Sequence, residues 1–400
     1  GRAGRGGRGP PPPPVLALER WLMNSLTTTS AGKAAAGKDA AAPAADPVFP
    51  GRAAAAGASA QLVADLVHGS MPTEAAKTVS KKLAEHSARI VAEVAQAAAK
   101  EQERAKVVVA EHKHSMDVYL KGKGKYLLKL NHEHHAKLKA LWQLHQGVPD
   151  VPAGGKAERR FHAALFVMLT RYHSIQGPGF QAACSEHVQE VLRADLSVSH
   201  ECFASPLNCY FPTFCSAFPD TDAAFGSQGS FWTWSYDASA GGSFQVNPPF
   251  VADVLLATAR RLGALLAESE GSAAPLSFVV IVPGWLEDAG VKALTASRFK
   301  RFELQVAKAD HGFCDGAQHQ RQDRYRESPY DSIVLVLQNK QGAARWPVAG
   351  GLKGKLLDAF AMARPTASAI ERRRKEGRGF ADQDGGGGVY KGKKRKRDDD

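Results

Sequence analysis

The chain has 400 residues, with 52 Lys and Arg against 40 Asp and Glu, a formal net charge of +12. Hydrophobic content of 44% and charged content of 23% exclude global disorder, a collagen-like repeat and a disulfide miniprotein, and the length admits two or three domains. The positive surplus favours an anionic partner, nucleic acid first and an acidic membrane surface second.

Gly1–Pro14 (GRAGRGGRGPPPPP) is low in complexity, reads as disordered, and has no apolar stretch of the signal-peptide kind. The chain opens on Gly1 and not Met, which fits a truncated or processed product whose true N-terminus lies upstream. Val15–Leu26 is a candidate short helix, and Thr27–Ala60, rich in Ala with Gly and Pro punctuation, reads as linker; residues 1–60 are taken together as low-complexity and disordered. Residues 61–194 read as a helical module. Glu74–His112 is rich in helix formers, Gly122 and Gly124 break the pattern, and further helices are expected at Asn131–His145, Glu158–Ser174 and Ser185–Leu196. No run of about 18 apolar residues is present, so no transmembrane helix and no membrane partner are expected.

The pattern changes after Ser197. Strands are expected at Val198–Ala204, Ser243–Val246, Leu276–Val282, Phe302–Lys308 and Ser332–Gln338, with a helix at Phe250–Glu268. Leu276–Val282 and Ser332–Gln338 are continuous apolar runs, the mark of strands buried on both faces. Strands alternating with a helix define an α/β unit over residues 195–350. Beyond Pro365 the chain turns polar and Gly-rich, and residues 366–400 read as a disordered basic tail.

One short motif carries chemistry. Asn247-Pro248-Pro249-Phe250 stands between a strand and a helix and has the form of the Asp/Asn/Ser-Pro-Pro-aromatic signature of methyltransferases acting on exocyclic amines. The amine of adenine has its lone pair delocalised into the ring and is a poor nucleophile. A site that methylates it must hold both N–H groups with acceptors and aim the nitrogen at an electrophilic methyl. The Asn247 side-chain oxygen and the Pro248 carbonyl are the candidate acceptors, the two prolines fix the backbone, and Phe250 offers a face for an extracted base. Orientation and electrostatic preorganisation then do the work, without an early general base. A methyl-donor site is expected at the carboxyl end of a neighbouring strand, at a switch point of the sheet. Phe203, Ala204, Ser205, Pro206 and Asn208 have that place, with Asn247 closing the site and Asp220 or Asp222 as a carboxylate for a ribose diol. The stretch between Pro206 and Asn247 is short for a complete sheet of this type, so the core must be abbreviated or rearranged.

At this point a resemblance becomes specific. The blocks Glu201–Phe211, Cys215–Asp222, Phe225-Gly226-Ser227 and Asn247–Phe250 occur in order. Pro275–Phe278, Ile281-Val282-Pro283 followed by Trp285, Ser297–Arg301, Gln318-His319 and Leu337-Gln338-Asn339 follow them. Over Asp195–Trp346 the chain resembles the phosphorylated-CTD-interacting factor family, the cap-specific adenosine N6-methyltransferases of eukaryotic mRNA; Lys129-Leu130-Asn131 and Lys137-Leu138 extend the likeness weakly.

The resemblance implies an abbreviated Rossmann-like, S-adenosylmethionine-dependent core with an α-helical N-terminal module. It implies methyl transfer to N6 of the 2′-O-methyladenosine next to the 7-methylguanosine cap, with 5′-capped mRNA as partner. Asn247, Pro248, Pro249 and Phe250 would form the catalytic pocket, and Trp285 would pack on the nucleotide. Animal members also carry a WW domain that docks on the phosphorylated RNA polymerase II tail; Trp21 has no second Trp before Trp142, so that recruitment is in doubt.

Arg298, Lys300 and Arg301 are candidates for the cap phosphates or RNA backbone, against a solvated turn as the plain alternative. His132-Glu133-His134-His135 lacks the spacing of a metal motif, and no metal is expected. The five Cys (Cys184, Cys202, Cys209, Cys215 and Cys314) are odd in number and form no Cys-x-x-Cys pair, which fits free thiols in a reducing compartment. Lys391–Arg397 (KGKKRKR) reads as a nuclear-localisation signal or a basic RNA-binding tail. An N6-adenine methyltransferase of internal RNA or DNA, and a noncatalytic RNA-binding relative, stay open beside the cap enzyme.

Overall fold

The computed structural model describes residues 17, 18, 20–22, 52–99, 106–122, 127–174, 181–321 and 323–375. The Arg-Gly arm at 1–14 and the basic run at 391–397 lie outside the described residues. Helices α1 (Arg52–His68) and α2 (Thr73–Ala99) pack as a pair, with Trp21, Leu62, Leu66 and Ala76 buried between them. The linker reading of Thr27–Ala60 is therefore corrected at its end, since α1 already begins at Arg52.

The span expected as helix through His112 holds a helix over Thr73–Ala99 and, from Val107, the first strand of an antiparallel three-stranded sheet: β1 (Val107–Glu111), β2 (Met116–Leu120) and β3 (Leu127–Leu130). Val107 pairs with Leu120 and Met116 with Leu130. The β-branched run at Val107–Val109 and the alternation that buries Val118, Leu128 and Leu130 outweigh the helix-forming residues around them.

Helix α3 (His132–Gln146) starts where the Asn131 side-chain oxygen accepts from the His134 amide and ends at Gly147, whose positive φ of 61° no β-branched residue adopts easily. With α4 (Lys156–Ser174) it buries Leu138, Trp142, Phe161, Leu165 and Met168, and the same cluster takes in Phe214, Phe218 and Phe225 from the larger sheet's edge. A continuous core thus joins the helices to the sheet.

The larger sheet has six strands. After α5 (Glu186–Leu196) come β4 (His200–Ala204), β5 (Phe214–Ser216), the single turn α6 (Pro219–Asp222), β6 (Gly242–Val246), α7 (Ala252–Glu268), β7 (Leu276–Pro283), α8 (Ala289–Thr295) and β8 (Lys300–Val306). A two-stranded ribbon, β9 (Gly312–Cys314) and β10 (Tyr325–Glu327), precedes β11 (Ser332–Gln338), α9 (Lys340–Arg345), α10 (Leu352–Met362) and α11 (Ala367–Lys375). The order across the sheet is β5-β4-β6-β7-β11-β8. β5, β4, β6 and β7 run parallel, and β11 is inserted antiparallel to both β7 and β8.

Alternation along the buried strands explains the layers. Phe278, Val280, Val282, Ile333 and Leu335 pack with Leu255, Leu262, Val291 and Leu294 of α7 and α8. Val279, Ile281, Val334 and Val336 pack on the opposite face with Val188 and Leu192 of α5 and Leu352, Leu356 and Phe360 of α10. Each such buried aliphatic side chain stabilises the fold by about 1.5–3 kcal/mol.

This is a mixed α/β fold with helices on both faces of a mostly parallel sheet. Several expected bounds shift. β8 begins at Lys300 and ends at Val306, α7 begins at Ala252, α10 extends the packing past residue 350, and Ala367–Lys375 is helical where a disordered tail was expected from 366.

Candidate active site

The chain leaves β4 toward β5 on one side and returns to β6 on the other. The carboxyl ends of β4 and β6 therefore flank a topological switch point, where ligands enter open α/β sheets. A cleft of about 700 Å³, its open mouth included, lies at this end. Phe203 and Ala204 come from the end of β4, Cys215, Ser216 and Ala217 from β5 and its exit, and Asn247 and Pro249 from the end of β6. Asn208 and Gln181 line one flank, and Ser230, Phe231 and Trp232 line the other.

The Asn247–Phe250 turn follows from its composition. Neither proline has an N–H, so the β6 ladder stops after Val246. Val251 donates to the Pro249 carbonyl at 2.8 Å, and α7 begins one residue later. Pro248 is buried. The Asn247 side-chain oxygen is also buried and accepts no hydrogen bond among the described residues. A buried amide oxygen left without a donor costs roughly 1–3 kcal/mol, so its retention at the rim of a cleft points to a donor arriving with a ligand.

The β4 exit is held by three side chains. Asn208 Oδ1 accepts from the Ser205 amide at 2.7 Å and its hydroxyl at 3.0 Å, while Asn208 Nδ2 donates to the Gln181 carbonyl at 3.0 Å. Glu201, buried beneath, accepts from the amides of Tyr210 (2.7 Å) and Phe211 (3.1 Å) and from Gln189 (3.2 Å). Burial pushes the Glu201 carboxyl up to about 7, opposed by those two backbone bonds. The half-buried Lys137 of α3 donates to the Leu207 carbonyl at 3.4 Å, which ties the helices to the same loop.

The opposite wall is aromatic. Phe203 lies 4.7 Å from Phe231 and 5.7 Å from Trp232, centroid to centroid. The Arg261 guanidinium sits 5.3 Å over the Phe231 ring, and His200 stacks on Trp234 at 5.0 Å. Burial lowers His200 to about 4, so it is neutral at physiological pH.

Of the residues singled out in the sequence, Phe203, Ala204, Asn208, Asn247 and Pro249 line the cleft together. Ser205 and Pro206 form the turn behind them. Phe250 is not in the cleft lining; it is half-buried against the core, where its ring meets Phe313 at 6.4 Å and Trp285 at 6.2 Å, crossed at 84° and 70°. Asp220 is not in the cleft lining; Arg171 holds it bidentately at 2.9 and 3.2 Å. Asp222 is buried behind Ser216, takes a hydrogen bond from Tyr172 at 2.6 Å, and is pushed up to about 7 by burial.

Arg298, Lys300 and Arg301 are not brought to the site. Lys300 pairs across the sheet with Leu337, at the end where β7 begins, whereas Val306 lies level with Pro283 at the cleft end. Arg298 is engaged bidentately by Glu270 at 3.1 and 2.6 Å, and Lys300 by Glu303 at 2.6 Å. Sequence reasoning passed over Phe231 and Trp232; their signal was an aromatic run, Phe231-Trp232-Thr233-Trp234, inside a Gly/Ser-rich loop.

The cleft fits a nucleoside-bearing methyl donor. The half-buried Phe203 and Trp232 put aromatic rings in the lining, Ser216 and Ser230 put hydroxyls there, and Ala204 and Ala217 are small. The fold and this site define a methyltransferase-like α/β core.

Comparison with known proteins agrees. Residues 137–316 match the family described as "Phosphorylated CTD interacting factor 1 WW domain". It is also 38% identical over 200 residues to the mRNA (2′-O-methyladenosine-N(6)-)-methyltransferases of Mus musculus and Homo sapiens. The match covers 48% of this chain and 28% of the length of each of those relatives. Asn247–Phe250, Trp285 and the aromatic wall all fall inside the family segment. No described helix is long and apolar enough to cross a membrane.

Proposed function

We propose that the protein transfers a methyl group from S-adenosylmethionine to N6 of the 2′-O-methyladenosine next to the cap of mRNA. The observation that carries the reading is the buried, unpartnered oxygen of Asn247 at the switch-point cleft. An N6 amino group supplies the donor that this oxygen lacks.

Phe203, Ala204, Asn208 and Asn247 would hold the cofactor, which when bound supplies an electrophilic methyl on a sulfonium. Asn247 accepts one N6–H and the Pro248 carbonyl accepts the other, which draws the nitrogen lone pair out of ring conjugation and toward the methyl. Phe250 stacks on the base and Trp285 supports it. Transfer would make the N–C bond at the expense of the cofactor's S–C bond, and the nitrogen proton, acidic only after transfer, would leave to water.

The cap as recognition element comes from the likeness to the two relatives. The same cleft chemistry serves an adenine of internal RNA or of DNA. Arrival at nascent transcripts through the polymerase tail, and a nuclear location, rest on the family likeness and on Lys391–Arg397 respectively. The test is methyl transfer to capped RNA by wild type and Asn247→Ala, with S-adenosylhomocysteine binding by calorimetry as the control. Loss of transfer with binding weakened but still measurable supports the roles given to Asn247; undiminished transfer removes them.

A further inference from the structure

We propose that Trp285, Leu286 and Tyr330 form a stacking shelf for the planar base that follows the target adenine on the same strand; this rests on the function proposed above. Among the described residues, few large apolar side chains are exposed. Two of them, Leu286 at 55% and Tyr330 at 36%, stand on the loops that leave β7 and enter β11 at the cleft end of the sheet. Trp285 joins them to the motif: its ring crosses Phe250 at 6.2 Å and 70°, and Tyr330 at 5.1 Å and 80°. A line of rings thus runs from the Asn247–Phe250 turn to the surface.

The shelf is rigid before anything binds. Gly284 donates to the Asp331 carbonyl at 2.7 Å, Trp285 to Pro283 at 2.8 Å, and Asp288 to the Trp285 carbonyl at 2.9 Å. Ser328 Oγ donates to the Tyr330 carbonyl at 2.6 Å. A Cβ on Gly284 would meet the Asp331 Cβ at 3.0 Å, so glycine is what lets the two loops touch. An exposed apolar patch beside a reactive site marks a place for an occupant. An enzyme that draws one base out of its stack must also hold the neighbour it leaves behind, and aromatic shelves do so without regard to sequence. The occupant is a neighbouring base and not a phosphate, because the shelf residues carry no cation.

The experiment uses the full chain, steady-state methylation and RNA-binding anisotropy. The acceptors are capped RNA, the same RNA abasic at the nucleotide after the target, and uncapped RNA. Tyr330→Ala and Leu286→Ser are each expected to raise KM for capped RNA about tenfold, with kcat changed less than twofold and S-adenosylhomocysteine affinity unchanged. Tyr330→Phe keeps the ring and stays within twofold of wild type. The Tyr330→Ala penalty vanishes on the abasic RNA and persists on uncapped RNA if the shelf holds the following base; a penalty that vanishes on uncapped RNA alone gives the shelf to the cap purine and overturns the proposal. An unchanged KM in both variants, or a penalty that persists on both altered RNAs, overturns the shelf. Absence of methyl transfer by wild type on every RNA sinks the parent function instead, while anisotropy still reads the shelf.

Discussion

Two asparagines at opposite ends of one sheet separate structure from function. Asn339 follows β11 at the end away from the cleft and is fully buried. Its oxygen accepts from the amides of Leu276 (3.0 Å) and Gly342 (2.7 Å), and its nitrogen donates to Ser269 Oγ (3.1 Å) and the Ala274 carbonyl (3.0 Å). Asn247 follows β6 at the cleft end, and its oxygen has no donor. The first side chain is saturated and pins β7, α9 and the loop after α7 together. The second is held ready by two prolines and left open. The same contrast applies to charge: Arg298 and Lys300 at the Asn339 end are answered by Glu270 and Glu303, while the cleft end is walled by aromatic rings.

Four substitutions test this contrast. The largest effect is expected from Asn247→Ala, which should lower kcat about 10²–10³-fold, as for removal of one preorganised polar group, with the melting temperature unchanged or raised. A matching loss of stability would make Asn247 structural. Asn339→Ala should do the reverse. It strands four buried partners and costs roughly 3–4 kcal/mol in urea denaturation, while activity per folded molecule stays within twofold.

Glu201→Gln probes the loop beneath the cleft through pH. The folded carboxyl titrates at about 7, above its ordinary value of 4.5. Between those values the folded protein keeps a proton that the unfolded chain has released. The group's contribution to stability is therefore greatest at low pH and is lost as pH rises through 7. The variant removes this loss and keeps an acceptor oxygen, so its melting temperature should gain on wild type from pH 5 to about pH 7 and level off above it. A constant difference would contradict the shift. The smallest effect belongs to Arg298→Ala. An exposed pair with Glu270 contributes about 0–1 kcal/mol. RNA affinity and its salt dependence should not move, and a shallower salt slope would place RNA on this end of the sheet.

Much of the sheet was legible before its coordinates. Leu276–Val282 and Ser332–Gln338 are apolar without interruption because both their faces are covered, and such runs admit few alternatives. The Asn247–Phe250 turn was legible because proline's chemistry is local. What escaped was set by distant contacts. The short strands between Val107 and Leu130 are half-buried and sit among helix formers, so the meander shows only once α4 packs on it. The placement of Arg298, Lys300 and Arg301 depends on the antiparallel insertion of β11, which fixes the end of the sheet at which β8 begins. A basic run before a strand carries no sign of that direction. Tyr330 likewise gains its meaning only from the loop of Trp285 across from it.

The central claim is that the open asparagine serves the N6 amine of a cap-adjacent adenosine. Mass spectrometry of products after incubation with S-adenosylmethionine tests it most directly. The four acceptors are capped RNA beginning with 2′-O-methyladenosine, the same RNA uncapped, RNA with internal adenosine only, and single-stranded DNA. The account predicts N6,2′-O-dimethyladenosine on the capped RNA alone, and none with Asn247→Ala. Equal product on uncapped RNA or DNA, or undiminished product from the variant, would contradict it.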